Sequence, residues 1–171
     1  MIENLASYRL GETEGDIILE SSEDCREVAL ALARQAHRSL HIFGQELDPA
    51  VYDSSEFNQA VRDVAIAHPS NQIKVLVHDA DSVIKRGHRL IELARRVTSH
   101  IEIRKLTEDY AHYNEAYLIA DGRGLLYRKH AGRYDGIAAF NDPMRARELV
   151  RFFEEAWQRS QQFREFRRLQ V

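Results

Sequence analysis

Two hydrophobic periods alternate along this chain, and few architectures accept both. Runs with strand character stand between longer runs whose apolar residues recur at i, i+3 and i+4. Asp16–Glu20 (DIILE) is expected to be a strand. Ser21 or Ser22 then offers an N-cap. Cys25, Val28, Ala29, Leu32, Ala33 and Ala36 fall on one face of the helix that follows, so Cys25 is expected to be a small buried residue and not a reactive thiol. Ser39–Gly44 is a second strand, and Pro49 to Asp53 a connection. A helix from Ser54 or Ser55 carries Phe57, Ala60, Val61, Val64 and Ala65 inward. The turn His68-Pro69-Ser70-Asn71 ends it. Ile73–Val77 (IKVLV) is apolar almost throughout, as an interior strand should be. A third helix is expected from about Ser82 to Val97, and a strand over His100–Leu106. Three more strands, Ala116–Ala120, Leu125–His130 and Gly136–Phe140, precede a last helix capped by Asp142 with Pro143 at its first position. Alternation at the front implies parallel strands with crossover helices, and the strands at the back can join by short turns. The expected fold is a single α/β domain over residues 1–171, a mixed β-sheet with helices on both faces.

Composition narrows the function classes. The chain has 171 residues, a net charge of −3 and one Cys. One Cys excludes an internal disulfide framework and a cysteine-based zinc site. No apolar run reaches the roughly 20 residues of a membrane span. The start lacks the basic and apolar regions of a leader peptide, so a cytoplasmic location and no membrane partner are expected. The near-neutral total hides an asymmetry. Residues 1–60 carry 12 acids against 4 Arg, much of it in the acidic segment 1–15 and its continuation, whereas residues 61–171 carry 20 Lys or Arg against 15 acids. Met144 to Val171 alone holds seven Arg, and residues 160–171 are expected to be a charged helical tail in which Phe163, Phe166 and Leu169 extend the apolar stripe.

Glycine-rich phosphate loops, dinucleotide fingerprints, HExxH and GxSxG are absent. His78-Asp79-Ala80-Asp81 has metal-capable residue types but follows a buried strand, where Asp commonly caps the next helix, and no further ligands gather near it in sequence. His37 and His41 straddle a helix end and a strand start, which suits surface or packing roles, and His88 falls inside the expected third helix. The densest set of chemically capable residues runs from His112 to Tyr134. It holds His112, Asn114, Glu115, Asp121, Arg123, Arg128, Lys129, His130, Arg133 and Tyr134. Cations beside histidines suit an anion, because charge-assisted donors grip phosphate or carboxylate oxygens.

The blocks ALARQAHRSLHIFGQELDP, IKVLVHDADSVIKRGHRLIELA, AYLIADGRG and FNDPMRARELVRFFEEAWQRS together resemble a phospholipase D superfamily domain. The last block and RYDGIAAFNDP are similar to an uncharacterised bacterial subgroup. The resemblance implies an HxKxxxxD signature whose His attacks phosphorus and whose Lys holds the phosphate. Anchored on Asp121, that His position is Asn114 and that Lys position is Ala116, and the GSxN element falls near Arg128–Ala131, which is RKHA. Asp121 alone matches. Active relatives join two such motifs, and this chain has room for one, so the resemblance implies a homodimer.

Three functions compete. The first is a non-catalytic phospholipase D-like module for binding or scaffolding, with Asn114, Asp121, Arg128, Lys129, His130, Arg133 and Tyr134 as binding residues and a phosphate-bearing small molecule as a possible ligand. The second is a phosphoryl-transfer enzyme with a rebuilt site, His112 or His130 as nucleophile and Lys129, Arg128 or Arg133 as clamp. The third, not favoured, is nucleic-acid binding through the C-terminal arginines, Arg164 and Arg167 among them. No cofactor or metal is implied.

Overall fold

A computed structural model describes residues 2–162 and Phe166. The strands are β1 (Asp16–Leu19), β2 (Ser39–Gly44), β3 (Gln72–Val77), β4 (Ile101–Lys105), β5 (Ala116–Ala120), β6 (Gly124–Arg128), β7 (Gly136–Ala139) and β8 (Gln161–Gln162). The helices are α1 (Ser22–Gln35), α2 (Pro49–Tyr52), α3 (Ser55–Ile66), α4 (Ala80–Arg86), α5 (Arg89–Arg96) and α6 (Pro143–Arg159). All eight strands form one sheet in the order β1-β7-β6-β5-β2-β3-β4-β8. β2, β3 and β4 are parallel, and every other pairing is antiparallel. This is the expected mixed sheet with helices on both faces.

The helix starts follow from local chemistry. Ser21 Oγ accepts a hydrogen bond from the Asp24 amide at 3.1 Å and opens α1. Asp142 does the same for the Arg145 amide, with Pro143 in the first turn of α6. Four expectations need correction. The helix expected over Ser82–Val97 is two helices, because Gly87 takes φ +81° and His88 caps a new start by accepting from the Leu90 amide at 3.0 Å. The Pro49 connection is the short α2, capped by Asp48. β1 does not join the parallel set; it pairs antiparallel with β7 at the sheet edge. Finally, residues 160–162 are not helical, although Phe166 is: Ser160 terminates α6, and Gln161–Gln162 pair with Arg104 and Lys105 of β4. Phe166 is buried; Phe163, Leu169, Arg164 and Arg167 lie outside the described residues.

The sheet divides the core. On one face α1, α3 and α5 bury Val28, Leu32, Phe57, Val61 and Leu90. On the other, α6 presses Phe153 and Trp157 onto Phe43, Leu76 and Tyr117. Phe43 and Tyr117 are cross-strand partners whose rings stack at 5.0 Å. Each such burial stabilises the fold by about 1.5–3 kcal/mol. Because α6 runs over the sheet centre, the β6–β7–β1 side of that face stays partly open, and Ile18 is 65% exposed.

Candidate functional site

Part of the chemistry-bearing set expected from sequence, Arg128 with the approach to Ala116, lies at the sheet end where β2 and β3 finish and β5 begins. A cavity of about 210 Å³ opens there between Gln45, Glu46, Asp48, Asp79, Ala116 and Arg128, closed by Ala131 and Gly132. Gln45 Nε2 donates to the Tyr113 carbonyl at 3.2 Å, and the Asn114 carbonyl accepts from the Ala131 amide at 2.6 Å. These bonds tie the approach to β5 to the loop after β6.

Three of the lining residues are carboxylates, and each already has a partner. Glu46 pairs with Arg86 at 2.7 Å. Asp48 caps α2 through the Ala50 amide at 3.0 Å. Asp79 accepts from Ser82 Oγ at 2.6 Å and from its amide at 3.1 Å, and these bonds hold its carboxyl below the usual range. The capping role expected for the His78–Asp81 run is the one observed. Among the described residues no group of three His, Cys, Asp or Glu is placed to hold a metal ion.

Arg128 is the lining cation, and it is turned inward. It is 2% exposed, donates to the carbonyls of Ala131 at 3.2 Å and Arg133 at 3.0 Å, and lies 5.3 Å from the Tyr134 ring. Asp48 stands 3.8 Å from it. Arg128 therefore shapes the 129–135 loop. The Tyr134 carbonyl accepts from the Cys25 thiol at 3.4 Å, and burial pushes that thiol up to about 11. Cys25 is the buried, unreactive residue its spacing predicts.

The remaining expected site residues do not converge. His112 is exposed and packs its ring on Tyr113 at 4.5 Å, while Lys129 and His130 are exposed on the loop. Arg133 pairs with Asp135 at 2.8 Å in solvent. None of these four lines the cavity. Asp121 lies at the far end of β5, five residues from Ala116, so about 17 Å away. It has φ +55° and gives its oxygens to the backbone: Oδ1 accepts from the amides of Arg38 at 2.8 Å and Ser39 at 3.1 Å, Oδ2 from His37 at 2.8 Å. A shared cleft of Asn114, Asp121 and His130 is thus excluded, and Asp121 is a structural anchor.

A charged cluster outside the expected set sits under α6. His41 Nε2 and Lys74 Nζ both meet Glu154, each at 3.0 Å. His41 and Lys74 are side by side because β2 and β3 pair in parallel register. Burial would raise the Glu154 carboxyl, but the bonds from Lys74 and His41 outweigh it and hold it low. The periodicity of α6 was the only sequence signal that could have placed Glu154 over the sheet.

Among the residues that line this cavity Arg128 is the cation, and its guanidinium is bonded to its own loop. Asn114 lacks an easily lost proton, Ala116 lacks a charge, and the cavity wall carries acids.

Solved structures share the fold. Nuc from Salmonella typhimurium, a phospholipase D family member, superposes with a TM-score of 0.63 at 10% identity, covering 88% of this chain and 99% of that one. NucT from Helicobacter pylori gives 0.62 at 12% identity, with 88% and 99% covered. TrmBL2, an archaeal chromatin protein with its own mode of DNA binding, gives 0.63 at 12% identity, over 89% of this chain and 56% of that one. The fold is that of the phospholipase D family. No curated protein matches the sequence. The model of a domain of unknown function, DUF7931, matches residues 21–169, and to that family the chain belongs.

Proposed function

We propose that this chain is a phospholipase D-like domain without phosphodiesterase activity, working as a homodimeric binding or scaffolding module. The observation that carries the reading is the β5 strand end. Asn114 and Ala116 stand at the motif's nucleophile and phosphate-binding positions, and the neighbouring wall holds Glu46, Asp48 and Asp79 around an Arg128 that is bonded to its own loop. A phosphate brought there meets like charge.

The open side of the sheet supports self-association. Tyr117, Tyr127, Ile137 and Ile18 are successive cross-strand partners, and only the first is covered fully by α6. A groove of about 420 Å³ runs between Tyr127, Ile137, Leu149 and Phe152, and Arg145, Glu148 and Glu115 flank it. An apolar strip bordered by both charges is self-complementary, as a two-fold interface requires.

The activity test uses bis(p-nitrophenyl) phosphate, with no turnover above buffer expected. Turnover abolished by His112→Ala or His130→Ala would establish the rebuilt enzyme instead. Sedimentation should give a dimer that Ile137→Glu converts to monomer; a monomeric parent at tens of micromolar refutes the assembly. Salt-sensitive retention on DNA, weakened by Arg164→Ala with Arg167→Ala, would favour nucleic-acid binding.

A further inference from the structure

The basic residues that the sequence scatters between positions 9 and 123 meet at the other end of the sheet. A cavity of about 670 Å³ opens where α1 ends, β2 begins and β5 turns into β6, and Arg9, Arg34, Arg38 and Arg123 line it together with His37. Its size falls within the range of small-molecule sites. The guanidinium groups of Arg34, Arg38 and Arg123 make no hydrogen bond or ion pair among the described residues. Arg34 stands in the last turn of α1, where a cation offsets the helix dipole. Arg38 and Arg123 have no such role.

Two acids share the lining, Glu12 and Asp121. Asp121 forms no ion pair with the arginines, because its oxygens accept from the amides of His37, Arg38 and Ser39, but it keeps its charge, as does Glu12. Four arginines against two carboxylates still leave a cationic excess in the lining, with no ion pair to it among the described residues. The walls are also fixed. Gln35 clamps the N-terminal segment to α1, donating to the Tyr8 carbonyl at 2.9 Å and accepting from the Leu10 amide at 2.8 Å. The Gly11 amide bonds the Phe140 carbonyl at 2.8 Å, and a side chain at Gly11 would meet the Arg123 stem at 3.2 Å. The segment that carries Arg9 is thus held, and Gly11 leaves the room that Arg123 uses.

We propose that this cavity binds a small oligophosphate, an anion with two or more linked phosphoryl groups. Forked guanidinium donors match phosphoryl oxygens two at a time, and several cations around one concavity favour a ligand of high charge over a single carboxylate or orthophosphate. A concave site suits a compact ligand better than a nucleic-acid strand, which needs an extended basic track. The site goes beyond the proposed function and stands at the far end of β5 from Ala116, so a phosphodiesterase result either way leaves it untouched.

The test is titration calorimetry of the full chain with sodium tripolyphosphate at low ionic strength, beside orthophosphate, ATP and a 12-nucleotide single strand. Tripolyphosphate is expected to bind at least tenfold more tightly than orthophosphate. The pair Arg38→Gln with Arg123→Gln, which keeps both stems, should weaken it at least tenfold. Arg62→Gln with Arg151→Gln removes the same charge elsewhere and should change it less than twofold. Circular dichroism checks that both pairs fold. ATP bound more tightly than tripolyphosphate would assign the phosphates to a nucleotide, and equal affinity would assign them to free oligophosphate; both support the site. No binding, equal loss in both pairs, or a strand bound more tightly than tripolyphosphate overturns it.

Discussion

Asp121→Ala should be among the most damaging polar substitutions in this chain, for reasons unrelated to catalysis. The side chain receives the amides of His37, Arg38 and Ser39 at 2.8–3.1 Å, and so holds the link between α1 and β2 against the β5–β6 turn. A hydrogen bond to a charged group contributes about 1.5–3 kcal/mol when buried; Asp121 is only partly buried, so about 1 kcal/mol per amide is the fitting figure. Alanine also has to hold the φ of +55°, at about 1–2 kcal/mol. The total is about 4–5 kcal/mol, a fall in Tm of roughly 8–20 °C for a chain of this size. Asn keeps one acceptor oxygen and tolerates a left-handed backbone, so Asp121→Asn should lose about half as much. Urea unfolding of the three proteins measures this. A loss under about 1 kcal/mol for Ala, or equal losses for Ala and Asn, would refute the anchoring argument.

Other consequences are as direct. Cys25 should resist a water-soluble disulfide reagent at pH 8 in the folded chain and react fully in urea, because it is buried and its thiol is pushed up to about 11; rapid labelling without denaturant would contradict its placement. Phe153→Ala removes a ring that packs on His41 at 4.9 Å and Trp157 at 5.8 Å and should cost about 3–5 kcal/mol in urea unfolding, with a loss below about 1 kcal/mol as the refuting result. Burial holds His41 below its ordinary 6.5 despite Glu154 beside it. The unfolded chain then takes up protons first, so stability should be level above pH 6.5 and fall as pH drops below it; a rise in stability there, or no change in the slope for His41→Gln, would refute the assignment.

How much of this could be read from the residues depends on how local the cause is. Ser21, Asp142 and Pro143 mark helix starts because a cap acts within three residues of itself, and the structure bears out all of them. Gly87 ends α4 through a backbone conformation that spacing does not encode, since the apolar pattern runs on through Leu90 and Ala94 and a glycine within a helix costs only about 1 kcal/mol. The DIIL pattern identified a strand, but its partner at Gly136–Ala139 lies more than a hundred residues on, so its edge position and antiparallel sense were not legible. The site followed the same division. Residue types from His112 to Tyr134 suggested an anion site, yet types say nothing of direction. Arg128 points into its own loop and Asp121 into backbone amides, each satisfied by groups that only the folded sheet brings near.

On the proposed reading, the two ends of β5 together explain how a phospholipase D-like fold holds without its motif. At the start of the strand, Asn114 still fixes a loop through its carbonyl and Arg128 still supplies a cation, but both are directed at main chain. At its end, Asp121 joins α1 and β2 to the β5–β6 turn. Asp121 is thus the residue whose work is architectural, whereas Asn114 and Ala116 stand at the two positions that the proposed reading takes as chemical. Ala116 is simply buried, and the fold needs no charged side chain there. Loss of Asp121 would leave three amides unpaired. The stability of the body alone therefore accounts for Asp121, and it leaves Arg38 and Arg123 in the cavity beside it, which no contact among the described residues explains, as the feature of this end that the proposed ligand accounts for.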